Sequence, residues 1–119
     1  MAAPNIFNTV TITGKTAVLA PTTTATAIVT NSAASGKVFK INSLVIANIN
    51  GTTATDITVD IFRSSVAYKL ASTITVPADS SLVVISKDST IYLEEGDVLR
   101  LTAGINSYLS AICSYEEIS

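Results

Sequence analysis

The sequence predicts an all-β protein, a two-sheet antiparallel β-sandwich of jelly-roll type, on three observations. No segment sustains the 3.6-residue apolar period of an amphipathic helix. β-Branched residues dominate the apolar positions, which suits a pleated, half-buried surface. Nine or ten short segments, several alternating apolar and polar, are separated by Gly, Asn and Pro turns at the spacing of a sandwich or jelly roll. With 119 residues the chain reads as a single domain over 1–119, large enough for a core that needs neither disulfide nor metal.

Residues 1–8 read as an N-terminal arm, with Pro4 discouraging regular structure. Ile6 and Phe7 in it have two readings: cover for the chain's own sheet, or anchors on a neighbouring subunit. From Ile6 to Thr13, Val10 and Ile12 alternate with Thr9, Thr11 and Thr13 as in a half-buried strand. Gly14-Lys15 is expected to break it. Thr16 to Leu19 then gives a short strand, and Thr24 to Thr30 another, with Ala25, Ala27 and Val29 on one face; Asn31 to Gly36 is a loop.

The stretch from Lys37 to Arg63 reads as two strands folded back at Asn50-Gly51, because both central residues of a type I′ turn need positive φ and Asn-Gly supplies it. A strict two-residue turn mixes polar and apolar residues on one face. A β-bulge at Asn42-Ser43 repairs this, setting Ile41 against Val59, Phe39 against Ile61 and Lys40 against Asp60. A looser loop from Asn48 to Asp56 achieves the same alignment. Either way Val38 and Phe62 face outward, and they are the interface candidates within the sheet, as Ile6 and Phe7 are within the arm. For Phe62 the other reading is cover by the second sheet or by Phe7.

Tyr68 to Val76 alternates, with Tyr68, Leu70, Ile74 and Val76 inward and Lys69, Ala71, Thr73 and Thr75 outward. Leu82 to Ile85 is a continuous apolar run, the pattern of a strand covered on both faces. After a turn at Ser86 to Ser89 come Ile91 and Leu93, then Glu94-Glu95-Gly96-Asp97. Leu99, Leu101 and Ala103 point one way, with Val98, Arg100 and Thr102 opposite. Leu109 to Ile118 is the last strand.

Composition narrows the function classes. The chain is 48% hydrophobic and only 13% charged, about half the charge of an ordinary soluble domain, with Thr and Ser filling the gap. Such a surface suits a β-rich extracellular protein or, as we favour, a subunit packed against neighbours. A net charge of −2 with seven scattered basic residues gives no basic stripe for nucleic acid. The N-terminus lacks the pattern of a signal peptide, and no run is long and apolar enough for a membrane helix. Cys113 is the single cysteine; it can form no intrachain disulfide, and its surroundings suggest a small buried side chain.

No chemistry is written in the residue types. There is no His, so Ser-His-Asp, Cys-His and His-ligated zinc arrangements are excluded from this chain alone. Glu94, Glu95 and Asp97, or Glu116 and Glu117, are the carboxylates a glycosidase-like mechanism could use. LEEGD reads better as a tight turn with solvated acids, and no DxDxDG spacing supports calcium. Gly14-Lys15-Thr16 lacks the first Gly and the following helix of a phosphate loop. Trp is absent and the tyrosines are dispersed, with Tyr108 the ring expected to be most exposed. Catalytic residues, metals and cofactors are therefore all expected to be none.

One resemblance adds to this. The run from Val38 to Ser119, with IANINGTTATDITVDIF, KLASTITVPADSSLVVI, YLEEGDVLRLTA and the terminal SYEEIS, resembles small virion structural proteins of tailed bacteriophages, notably those of cyanobacteria and other marine bacteria. VPADSSLVV, YLEEGD and SYEEI carry most of it, over about two thirds of the chain. The resemblance implies a non-enzymatic virion subunit. Jelly-roll virion proteins of this size often resemble capsid decoration or cement proteins, which sit over capsomer junctions as homo-oligomers, often trimers, with the major capsid protein as partner. The alternative is a tail, neck or fibre component, including a module that binds host-surface glycans.

Overall fold

The computed structural model describes residues 11–119. The chain forms nine strands there: β1 (Ile12–Leu19), β2 (Thr26–Thr30), β3 (Val38–Asn48), β4 (Thr55–Arg63), β5 (Val66–Val76), β6 (Ser81–Ile85), β7 (Ile91–Leu93), β8 (Val98–Ala103) and β9 (Leu109–Ile118). One 3-10 turn, Lys87–Ser89, separates β6 from β7. None of the described helices is long and apolar enough to cross a membrane.

Two antiparallel sheets pack face to face as a β-sandwich. The first has the order β1-β9-β3-β6, with β7 continuing the β6 position along β3; the second has the order β2-β8-β4-β5. The pairings are nested, β1 with β9, β2 with β8, β3 with β6 and β7, and β4 with β5. A folded-over ribbon gives this pattern, the topology of a jelly roll. Ile41, Leu44, Ile46, Ile57, Val59, Leu93, Leu99, Leu101 and Leu109 fill the space between the sheets and are fully buried. The alternation expected for Leu99, Leu101 and Ala103 is present, since all three are in that core.

The central hairpin expected at Asn50-Gly51 is not formed. β3 pairs with β9 on one edge and with β6 and β7 on the other, so it has no edge left for β4, which joins the second sheet. Neither Asn50 nor Gly51 has positive φ. Asn50 Oδ1 instead accepts the backbone N–H groups of Thr52 at 2.9 Å and Thr53 at 2.7 Å, turning the chain from one sheet to the other. The bulge expected at Asn42 does exist, but it faces β9: Ile41 is opposite Tyr115 and Ser43 opposite Ser114. It restores the inward alternation of Phe39, Ile41, Leu44 and Ile46, and the hydrophobic pattern signalled that need without naming the partner strand.

Three other expectations are corrected. β1 runs straight through Gly14-Lys15, whose backbone is paired with Glu116 and Tyr115. In β5, register shifts opposite Ile57, Val59 and Asp60 put Ala71, rather than the expected Leu70, on the core face opposite Val59. Ala71 and Val76 are buried, Val76 as expected, while Tyr68 and Ile74, opposite the core-face Ile61 and Ile57, stay exposed with Leu70 because β5 is the edge strand. In β6 the outer face is not covered within the protomer, because Val83 is 58% exposed.

Two buried asparagines tie the crossings. Asn31 Nδ2 donates to the carbonyls of Lys37 and Leu93, each at 3.0 Å, and its Oδ1 accepts the Ser35 hydroxyl at 2.6 Å. Asn48 Nδ2 donates to the carbonyls of Thr53 and Val76, also at 3.0 Å. Each amide satisfies backbone groups that leave the ladders where the chain changes sheets, and a buried unpaired carbonyl there would be costly.

Candidate functional site

The acidic turn was the nearest approach to a catalytic constellation, and the fold gives each of its acids a structural partner. Gly96 takes φ +89°, the left-handed angle that the tight turn needs and glycine tolerates. The turn aims Asp97 inward, where its carboxylate accepts the Nε of Arg63 at 2.7 Å and the backbone N–H of Glu94 at 2.8 Å. Burial alone would raise the Asp97 carboxyl; hydrogen bonds from Arg63 and from the Glu94 backbone, with the guanidinium charge, outweigh it and hold the pKa below the usual range. Glu94 bonds the same guanidinium at 2.8 Å, and Glu95 accepts the Gly36 N–H at 3.0 Å. The expectation of solvated acids holds for Glu94 but not for Asp97, which is buried.

Glu116 and Glu117 are neighbours on β9, so their side chains leave opposite faces of the first sheet and cannot converge on one substrate. Glu117 is held by Lys15 at 2.8 Å and Lys37 at 3.1 Å. The hydrogen bond from Lys15 leads in keeping its pKa low, against a desolvation that opposes it, and Lys37 adds to the same effect. Cys113 is fully buried, and desolvation pushes its thiol up to about 12.

The interface candidates fall in different places. Ile6 and Phe7, with the rest of the arm at 1–8, lie outside the described residues. Val38 is only 7% exposed, opposite Ile118 on β9, so it offers little free surface in the protomer. It does not share a sheet with Phe62. Phe62 is outward on the second sheet, but the Arg100 guanidinium lies over its ring at 4.0 Å from the centroid, a cation–π contact held by the Arg100 Nε bond to Asp60 Oδ1 at 2.9 Å. Asp60 thus pairs with Arg100 where Lys40 had been expected. Tyr108 is half-buried, whereas Tyr68 and Tyr92 are the exposed rings.

The surface that sequence reasoning missed is the outer face of the first sheet. Val18 is opposite Ile112, Ile112 opposite Val45, and Val45 opposite Val83, so one aliphatic row crosses all four strands. Val18 is 74%, Ile112 49% and Val83 58% exposed. The row is flanked by Thr16, Ser114 and Ser43 on one side and by Ser110, Ala47 and Ser81 on the other, so this part of the face is without charge. The outer face of the second sheet differs, carrying Asp60, Lys69 and Arg100. On β5, exposed Tyr68, Leu70 and Ile74 line an edge strand, and Tyr68 with Ile61 and Arg63 bounds a shallow depression of about 220 Å³. The sequence did carry one signal for the row, the unbroken apolar run Leu82–Ile85.

The sequence matches no known protein-family model and no curated protein. Among solved structures, the chain is similar to one from Bacillus endospore appendages, described as a novel family of disulfide-linked pili. The TM-score is 0.54 at 15% identity, over 98% of this chain and 95% of that one. At that identity the likeness establishes the shared β-sandwich architecture.

Proposed function

We propose that the chain is a non-enzymatic structural subunit of a bacteriophage virion, working as a capsid decoration or cement protein that adds contact area between shell proteins. The observation that carries this is the grouping of exposed aliphatic and aromatic side chains into continuous strand surfaces, Val18, Ile112 and Val83 on the first sheet and Tyr68, Leu70 and Ile74 on β5. Isolated exposed apolar residues are ordinary, whereas contiguous ones mark interaction surfaces. The resemblance of the segment from Val38 to Ser119 to small virion proteins supplies the assembly. The mechanism is mass action: a subunit that binds only the assembled lattice stabilises that lattice.

Cryo-electron localisation on the particle of origin tests this. Density repeated over the icosahedral shell is expected; density confined to tail or neck sinks the decoration reading and favours the tail or fibre alternative, for which a glycan array is the next measurement. The pilus-like neighbour favours a second reading, a subunit of a filament. Self-assembly of the purified chain into fibres under negative stain would support it. In that case the contacts would be non-covalent as far as Cys113 is concerned, because its thiol is buried within the fold.

A further inference from the structure

The geometry points to a second copy of this chain as the partner of the first sheet's outer face, bound face to face about a two-fold axis that runs parallel to the strands between β9 and β3. The proposal deepens the structural-subunit reading by naming one of its contacts, and rests on it only in taking the chain to be an assembly subunit.

The argument comes from the register of the sheet. The order β1-β9-β3-β6/β7 has its midline between β9 and β3. Turning a second copy over about that midline exchanges β9 with β3 and β1 with β6 or β7, row by row. Ile112 of one copy then lies over Val45 of the other, and Val18 over Val83, so the two aliphatic rows meet along their whole length. Ser114 lies over Ser43. One row further on, Glu116 and Lys40 are register partners, so the same rotation sets Glu116 of each copy against Lys40 of the other. Neither of these two side chains takes part in an ion pair among the described residues. At the end of that row, the exposed Tyr92 ring lies over Gly14, where an added Cβ would meet nothing within 4 Å. An isologous interface requires a patch that is complementary to itself; here apolar meets apolar, acid meets base, and ring meets glycine under one operation.

The dimensions agree. Four strands about 4.8 Å apart, over four side-chain rows about 6.7 Å apart, give a projected face of roughly 500 Å² per copy, or about 1,000 Å² for the pair, near the lower limit of a specific interface. Sandwich cores also pack two sheets face to face with their mean strand directions within about 30° of each other. The contact closes at two copies, so a higher oligomer would use a different surface such as the β5 edge.

Sedimentation equilibrium of the purified chain, from about 10 μM to about 1 mM, should show a reversible monomer–dimer equilibrium. Val83→Lys and Val18→Lys are at well-exposed positions that the fold tolerates, and each should weaken dimerisation at least about tenfold by setting an ammonium against an apolar row. Lys40→Glu alone opposes carboxylates at both symmetry-related contacts of that row, and Glu116→Lys alone opposes ammonium groups; each should dissociate the dimer. Mixing the two variants should restore a heterodimer, which no role confined to one chain can produce. A wild-type chain that stays monomeric throughout overturns the proposal, as does a dimer indifferent to Val83→Lys and Val18→Lys or a mixture that remains monomeric. Those failures leave localisation on the particle unaffected, so they are distinguishable from failure of the structural-subunit reading.

Discussion

At the scale of single residues, the buried polar groups are more exacting than the aliphatic core. Asn31 satisfies two carbonyls and a hydroxyl at once. Asn31→Leu keeps the branched shape but strands those partners, and should cost about 3 kcal/mol in urea unfolding, since each buried unpaired group costs roughly 1–3 kcal/mol. Asp97 adds a pH signature. Its folded pKa is below its unfolded value, so its stabilisation is fully present above the unfolded pKa and is lost as pH falls through the folded one. Asp97→Asn should therefore destabilise by about 1.5–3 kcal/mol at neutral pH, with the gap to wild type narrowing below about pH 4. A gap constant from pH 7 to pH 2 would contradict the ion-pair account. Cys113 should resist a thiol reagent such as DTNB in the native state and react fully in denaturant, because only the thiolate is nucleophilic and burial suppresses it.

At the scale of elements, the type I′ hairpin exists, but at Ser64-Ser65 rather than at Asn50-Gly51. Ser64 and Ser65 have φ of 52° and 63° and join Arg63 to its partner Val66 in β4 and β5. No residue there signals it, since serine is not the residue this turn prefers. Replacing the pair by Asn-Gly should stabilise by about 1 kcal/mol and raise the melting temperature by about 4 °C; an unchanged or lowered Tm would mean that the serines make a compensating interaction. Thr73, a β-branched residue at φ 57°, is a similar case: its N–H bonds Thr58 Oγ1 at 3.2 Å inside the β5 bulge. Bulges of this kind explain why strand existence was legible and strand facing was not. β8, whose ladder to β4 is regular, reads correctly from period-2 alternation. β5 departs from it at its register shifts, which put Ala71 rather than Leu70 on the core face.

At the scale of the molecule, the two-sheet architecture follows from pattern, but the partner of each strand does not. The segment from Val38 to Phe62 has local signals for a hairpin, yet β3 is wanted by β9, some seventy residues later in the chain, and long-range pairing wins. The contact row on the first sheet was illegible for the same reason. An outward valine and an inward one look alike until the ladder is known, and only the unbroken run in β6 hinted that both faces needed cover. Pairing so remote in sequence should make folding slow for this size, in milliseconds to seconds, as for other sandwiches dominated by non-local contacts. Deleting β1 should leave β9 as a bare edge strand and convert the product from soluble to aggregation-prone on size exclusion.

Thr11 and Ser119 close that β1–β9 edge by exchanging two backbone hydrogen bonds, at 3.0 Å and 2.9 Å. The two ends of the described chain are therefore adjacent, and a linker of a few residues could join them while a new start is opened at the Ser64-Ser65 turn. A circular permutant of that kind would keep every strand pairing. It would also move both termini from the first sheet to the Ser64-Ser65 turn of the second, so that a fused domain carried there could be displayed without passing near the outer face of the first sheet.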